Sequence, residues 1–352
     1  MDYKLKNLII CILSVLFLSV GCERRSGYIS FSGFAQGGVY TVKMDMRGVK
    51  EKPENIKNHV DSLLDVIDFT FSGYNKSSLL SRINAGERIR PNEMMLDLYR
   101  KSYDCFLDSE GALDVAAGPL FDIWGFGFTS DSLPSGEKVL STLETCGSAR
   151  LKADMADALD EDGTLCAADL LKEASDVSPV LNFNAVAQGY SCDVVAEYLH
   201  SLGVHNMLVD IGEIFCEGVN PSGHDWTLGV DSPVDGNQTP GEELQAIHHC
   251  GAEPQGVVTS GNYRKYYVSD SRKYAHTIDP RTGYPVSHNL LSATIVAPDA
   301  FTADAAATWC MVLGVEGAKE LVKSKGYEAY LIFDEGGEFG EWASEGFDIT
   351  SR

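Results

Sequence analysis

Asp304 and Thr308 lie in the run Phe301-Thr302-Ala303-Asp304-Ala305-Ala306-Ala307-Thr308. On a helix this spacing puts both on one face, one turn apart. Both offer oxygen, the ligand type of a hard cation such as Mg2+. The alanines between them let another backbone come close. The same pattern fits an ordinary helix start, where an Asp meets the positive end of the dipole. A second stretch, Tyr274-Ala275-His276-Thr277-Ile278-Asp279-Pro280-Arg281-Thr282-Gly283, sets His276 and Asp279 before a proline turn. Imidazole is the usual general base near neutral pH, but a lone His serves structure equally well unless the rest of a site surrounds it.

Three further stretches are suited to holding a ligand. Asn184-Ala185-Val186-Ala187-Gln188-Gly189-Tyr190-Ser191-Cys192-Asp193 reads as a strand end, a small-residue turn and a helix start. Such an opening presents backbone groups to anions. Gly111-Ala112-Leu113-Asp114-Val115, followed by Gly118-Pro119-Leu120 and Trp124-Gly125-Phe126-Gly127, sets a carboxylate among apolar residues. That is costly without a partner, so Asp114 fits either a structural cap or a ligand contact. Phe71-Ser72-Gly73-Tyr74-Asn75-Lys76-Ser77-Ser78 joins a glycine, hydroxyls and an aromatic ring. It fits a loop against a planar ligand or a plain turn.

Regular elements must position these stretches. Alternation over Tyr28–Met46 predicts a strand, and apolar residues at helical spacing predict helices over Asn55–Phe69 and Met94–Phe106. Val186–Leu202, Ala303–Leu313 and Val315–Lys323 also read as helices. Leu208–Ile214, Thr227–Val230, Leu291–Val296 and Tyr327–Phe333 read as strands, and Phe126–Glu137 as a loop. Lys152–Gly163 carries five carboxylates without the ligand spacing of a calcium loop, and reads as a solvated acidic insertion. The elements mix without a strict βαβ rhythm, so the fold class is α+β, with mixed sheets and helices in one domain over residues 28–352.

Composition narrows the function. There are 51 acidic against 28 basic residues, a net charge of −23. Nucleic-acid binding needs a basic footprint and is disfavoured. An acidic protein that handles an anionic nucleotide needs a local counter-charge, which a divalent metal supplies. The nine cysteines form no zinc-like pattern and read mostly as small apolar residues. Lys4 and Lys6 precede an apolar run from Leu8 to Val20 that is short for a bilayer span, and Gly21-Cys22 follows. This is the pattern of a secretory signal over residues 1–21; the Gly21-Cys22 junction resembles a bacterial lipoprotein signal, with Cys22 acylated and residues 22–27 as a tether, and a plain signal peptide with an incidental Cys or an anchor helix are the alternatives.

Taken together the stretches resemble the ApbE family over roughly residues 30–335. The matching segments are Gln36-Gly37-Gly38-Val39-Tyr40, Gly111-Ala112-Leu113-Asp114, Ala187-Gln188-Gly189-Tyr190-Ser191-Cys192-Asp193, Thr259-Ser260-Gly261, His276-Thr277-Ile278-Asp279-Pro280-Arg281-Thr282-Gly283, and Ala303-Asp304 to Thr308. Gln36 stands at the family's Met, Gln188 at its Lys and Thr277 at its Ile, and one glycine of a usual pair is missing near Asp210-Ile211-Gly212-Glu213.

The resemblance implies a T-fold-related catalytic domain and an FAD:protein FMN transferase. FAD, the substrate, would touch Gln36, Gly37, Gly38, Ser72, Gly73, Tyr74, Asp114, Gln188 and Thr277. Mg2+ would be held by the Ala185 carbonyl, Asp304 and Thr308. His276 would deprotonate an acceptor threonine, with Asp279 orienting or assisting. The expected acceptors are flavoprotein subunits of Na-translocating quinone reductase or Rnf-type complexes, met from a lipid anchor on the periplasmic side. An Mg2+-dependent FAD pyrophosphatase and a non-catalytic FAD-binding lipoprotein are the alternatives. A faint acceptor-like run in this chain, Leu291-Ser292-Ala293-Thr294, reads better as a buried strand. Cys22→Ala is expected to release the protein from the membrane fraction or block its processing; unchanged fractionation and maturation would refute the anchor.

Overall fold

The alternating segment that opens the fold is a hairpin rather than one strand. β1 (Tyr28–Ala35) and β2 (Gly38–Asp45) pair antiparallel around Gln36-Gly37. Both turn residues have positive φ, 51° and 82°, the conformation that lets a two-residue turn match the twist of its strands. The structure, a computed structural model, describes residues 27–126, 133–234, 237, 241–262, 266–269 and 272–351; for 266–269, 272–275 and 351 it describes the backbone alone. The signal segment, Cys22 and part of the loop expected over Phe126–Glu137 lie outside the described residues.

Helices α1 (Pro53–Phe71), α2 (Leu79–Asn84) and α3 (Glu93–Asp108) follow the hairpin. α1 buries Ile56, Val60, Leu64 and Ile67, the stripe its spacing predicts. Asn92 caps α3 by accepting from the Met95 N–H. Two short helices, α4 (Gly118–Ile123) and α5 (Gly136–Leu143), come next; the second begins inside the expected loop. The acidic stretch at 152–163 exposes Asp157, Asp160, Glu161 and Asp162 but buries Met155 completely. Arg88 ties it down through Asp160 at 2.6 Å and Asp169 at 3.0 Å.

α6 (Ala187–Ser201) leads into β3 (Met207–Asp210) and β4 (Ile214–Glu217). The single strand expected over Leu208–Ile214 is split here too, because the chain reverses at Gly212, φ 94°. β5 (Thr227–Asp231), β6 (Leu244–His249), β7 (Gln255–Gly261), β8 (Tyr266–Ser269), β9 (Arg272–Ala275), β10 (Ile278–Asp279), β11 (Tyr284–Pro285) and β12 (Leu290–Ala297) follow. α7 (Ala300–Lys325) is broken at Gly314, φ 76°, between the two helical stretches read from the sequence. β13 (Glu328–Asp334), β14 (Phe339–Ala343) and β15 (Ile349–Ser351) complete the described chain.

One eight-stranded sheet runs β1-β2-β3-β4-β7-β12-β13-β14, and its neighbours pair antiparallel throughout. The main core packs α1, α3 and α6 with β2 and β3, and a second core packs α7 on β7, β12 and β13. The architecture is α+β, as expected. Thr294 is buried on β12 and its hydroxyl lies 2.8 Å from that of Thr259 across the sheet. This leaves the acceptor-like run as interior strand. Among the described residues no helix is long and apolar enough to cross a membrane.

Candidate active site

The two helices that carry the strongest motifs meet at their N-termini. Gly189 lies in the first turn of α6 against the first turns of α7. A Cβ on Gly189 would fall 2.3 Å from the Ala300 carbonyl oxygen and 2.7 Å from the Asp304 Cβ. A glycine is therefore required for this approach. Gly256 plays the same part on β7, where a Cβ would fall 2.3 Å from the Asp299 carbonyl oxygen.

The contact completes the hydrogen bonding at the start of α6. Tyr190 N–H donates one turn back to Val186, but Gly189 N–H donates to Asp304 Oδ2 at 3.0 Å. As the third residue of α6, Gly189 has no acceptor for its N–H within its own helix, and Asp304 supplies one. Asp304 is 5% exposed. Burial pushes its carboxyl above the usual carboxylate range; the Gly189 N–H opposes the shift and the nearby Asp193 adds to it. Thr308 stands one helical turn beyond Asp304 on the same face, half-buried. A backbone carbonyl at the Ala185 turn, a desolvated carboxylate and a hydroxyl are oxygen donors of the kind that Mg2+ takes, and a cation would offset the cost of burying Asp304. The donor set therefore fits the metal.

Other candidate residues gather around the same helix start. The Gln36 side chain at the hairpin tip donates to the Ser191 hydroxyl. Gln188 donates to the Ile211 carbonyl at 3.2 Å, and Cys192 to that of Glu213 at 3.0 Å. Phe71 packs edge-on against Phe183 and Tyr190, on either side of the Ala185 turn. This carries Ser72-Gly73-Tyr74 to the site. The loop holds its own shape: the Ser72 hydroxyl accepts from Asn75 N–H, and the Ser72 carbonyl accepts from the Ser78 and Ser81 hydroxyls. Asn182 N–H donates to Val115 O at 2.7 Å, stitching the Asp114 segment to the Ala185 turn.

Asp114 is engaged with protein. It accepts from Ala116 N–H, Ser148 N–H and the Ser148 hydroxyl. Burial raises its carboxyl, against these donors. The His276–Gly283 stretch forms a separate hairpin. Asp279 accepts from the Arg281 backbone and guanidinium at 2.9 Å, and Trp124 Nε1 donates to Gly283 O at 2.7 Å. Thr277 is buried, its hydroxyl 2.6 Å from Asn262 Oδ1 at the end of β7. His276 is half-buried beside Phe126, ring centroids 6.4 Å apart. The hairpin approaches the Asp114 segment, since a Cβ on Gly111 would lie 3.6 Å from Arg281 Cγ.

Asp193 has a role that its motif alone did not disclose. Its two oxygens accept from the N–H groups of Ala300 and Phe301, both at 2.8 Å, so it caps α7 from outside. Burial raises it to about 7, against those two donors. A carboxylate one turn beyond Gly189 on α6 was the available signal; its target was not local in sequence.

A glycine-opened helix start of this kind can present backbone N–H groups to an anionic ligand. The sequence profile of the ApbE family matches residues 37–331. The chain is 30% identical over 352 residues to the FAD:protein FMN transferase of Escherichia coli K12, covering 96% of this chain and 95% of the relative. The structure of the flavin transferase ApbE from Vibrio cholerae superposes with a TM-score of 0.73 at 30% identity, covering 91% of this chain and 98% of that one. The apo flavinyl transferase ApbE from Pseudomonas stutzeri gives 0.75 at 31%, with 90% and 95% covered. The chain belongs to the ApbE family.

Gly189→Ala must push α6 and α7 apart and stretch the bond to Asp304. Overpacking of this kind costs about 1–3 kcal/mol, so the urea midpoint of Gly189→Ala is expected to fall; a midpoint equal to wild type would show that the helices can part without loss.

Proposed function

We propose that the chain is an Mg2+-dependent FAD:protein FMN transferase that cleaves FAD, releases AMP and links FMN to a threonine of an acceptor flavoprotein. The observation that carries this reading is the buried Asp304 carboxylate, held at the opening of α6 by the Gly189 N–H with Thr308 one turn beyond it on the same face. Family membership supports the transferase chemistry.

In this reading Ala185 O, Asp304 and Thr308 hold Mg2+. When bound there, the cation neutralises pyrophosphate charge and the charge that develops on AMP. The chain's own residues do the rest. His276 takes the proton from the acceptor hydroxyl, whose oxygen attacks the phosphorus on the FMN side as the bond to AMP breaks. Asp279 keeps the His276 hairpin in shape through its bonds to Arg281. The Gln36-Gly37 tip and the Ser72–Tyr74 loop border the flavin nucleotide. The acceptors are flavoprotein subunits of Na-translocating quinone reductase or Rnf-type complexes, reached from a lipid anchor at Cys22 on the periplasmic side. The apolar run before Gly21-Cys22 supports that placement.

The test uses purified protein, FAD, Mg2+ and an acceptor domain, following AMP release and the mass gain on the acceptor threonine. Wild type should give both; AMP without mass gain would make it a hydrolase, and neither would make it a binder. Asp304→Ala is expected to abolish AMP release, with part regained in high Mg2+ or in Mn2+, and Thr308→Val to lower it at nearly constant volume. Wild-type rates in both variants at low Mg2+ would refute the metal assignment. His276→Ala should keep FAD binding and lose about 10²–10⁴-fold in transfer; near-normal transfer would move the base elsewhere.

A further inference from the structure

At the far end of α6 lies a cluster that the flavin chemistry does not use. His200 is in the last turn of α6, His205 in the connection to β3, and Glu217 ends β4. His200 Nε2 lies 2.5 Å from Glu217 Oε2, and His205 Nδ1 lies 3.1 Å from Glu217 Oε1. One ligand atom from each of the three falls within 4.8 Å of the others. We propose that His200, His205 and Glu217 bind a zinc ion.

The donor chemistry supports zinc. Two imidazoles and one carboxylate are a recurrent three-ligand zinc set that leaves a fourth position for water. Bonds of about 2.0–2.1 Å in a tetrahedron set neighbouring ligand atoms roughly 3.3 Å apart, so these side chains need only small shifts to admit the ion. Imidazole donors favour zinc over Mg2+, which prefers all-oxygen shells. The Glu217 side chain is 11% exposed, and a carboxylate so desolvated gains from a cation.

The backbone around the cluster is fixed on three sides. A Cβ on Gly218, φ 68°, would fall 2.5 Å from the His205 carbonyl oxygen, so glycine allows the His205 connection to close on β4. Asn206 Oδ1 accepts from Val219 N–H at 2.9 Å, and Gly203 N–H donates to His200 O at 2.8 Å. Trp226 Nε1 donates to Glu217 O at 3.1 Å. His205 opens the site to solvent, its side chain 68% exposed, which leaves a path for the ion. Eleven residues of helix separate His200 from Gly189, about 16 Å along the axis. Zinc here would clamp α6 to β4 without touching the Asp304 face.

The experiment strips the full chain with a chelator and titrates Zn2+ against a chromophoric competitor in millimolar Mg2+, with Co2+ as a visible probe. The expected result is one zinc ion per chain that Mg2+ does not displace. His200→Ala and His205→Ala should each weaken zinc at least tenfold, while Asp304→Ala binds it as wild type does. His205 is exposed, so its variant keeps the fold even if Glu217→Gln, at a buried position, does not. Any of three results would overturn the proposal: no zinc retained by wild type, wild-type affinity in both histidine variants, or thiolate charge-transfer bands with Co2+, which would give the metal to cysteines.

Discussion

The close approach of α6 and α7 at Gly189 is the constraint on which the rest of the site depends. One missing Cβ allows the Ala300 carbonyl into van der Waals range, and the Gly189 N–H, which has no acceptor in its own helix, reaches Asp304. Two consequences follow. An orphan N–H at the start of α6 gains a partner, and the Asp304 carboxylate is held facing that start. Asp193 repeats the coupling in the other direction, capping α7 with a side chain from α6. Each helix thus satisfies exposed N–H groups of the other. Movement of either helix would unmake the caps and the donor set together.

The elements that carry the motifs were more legible in the sequence than the contacts between them. Asp304 and Thr308 were readable because a helix imposes fixed spacing, and spacing survives in one dimension. The Gly189 segment was readable as a motif, but its reason is a contact with Ala300, more than a hundred residues away. Asp193 shows the same limit: its partners are backbone groups, and backbone groups carry no sequence signature. Strand reading failed where turns were tight. Gln36-Gly37 and Gly212 each reverse the chain within an alternating run, so one expected strand became two. The period-2 pattern continues through such a turn, and only the φ values betray it. α7 was the opposite case, since Gly314 already broke the helical pattern where the backbone breaks.

Gln188, a departure from the family pattern, packs under the Gly212 turn, beside which a second departure, the missing glycine, falls. Gln188 spends its amide on the Ile211 carbonyl, directly before Gly212. A Cβ on Gly212 would fall 2.5 Å from that same amide nitrogen, and its φ of 94° suits glycine in any case. The amide therefore sits in a gap that the glycine provides, and it supports the β3–β4 turn from beneath. A lysine could also donate to the carbonyl, but it would bring a positive charge to the opening of α6. Without that charge the opening presents only its backbone N–H groups to an anion. In a chain carrying a net charge of −23, an anionic nucleotide is repelled at long range and must be attracted at short range. With glutamine in place of lysine, that short-range attraction falls to the backbone N–H groups at the opening of α6.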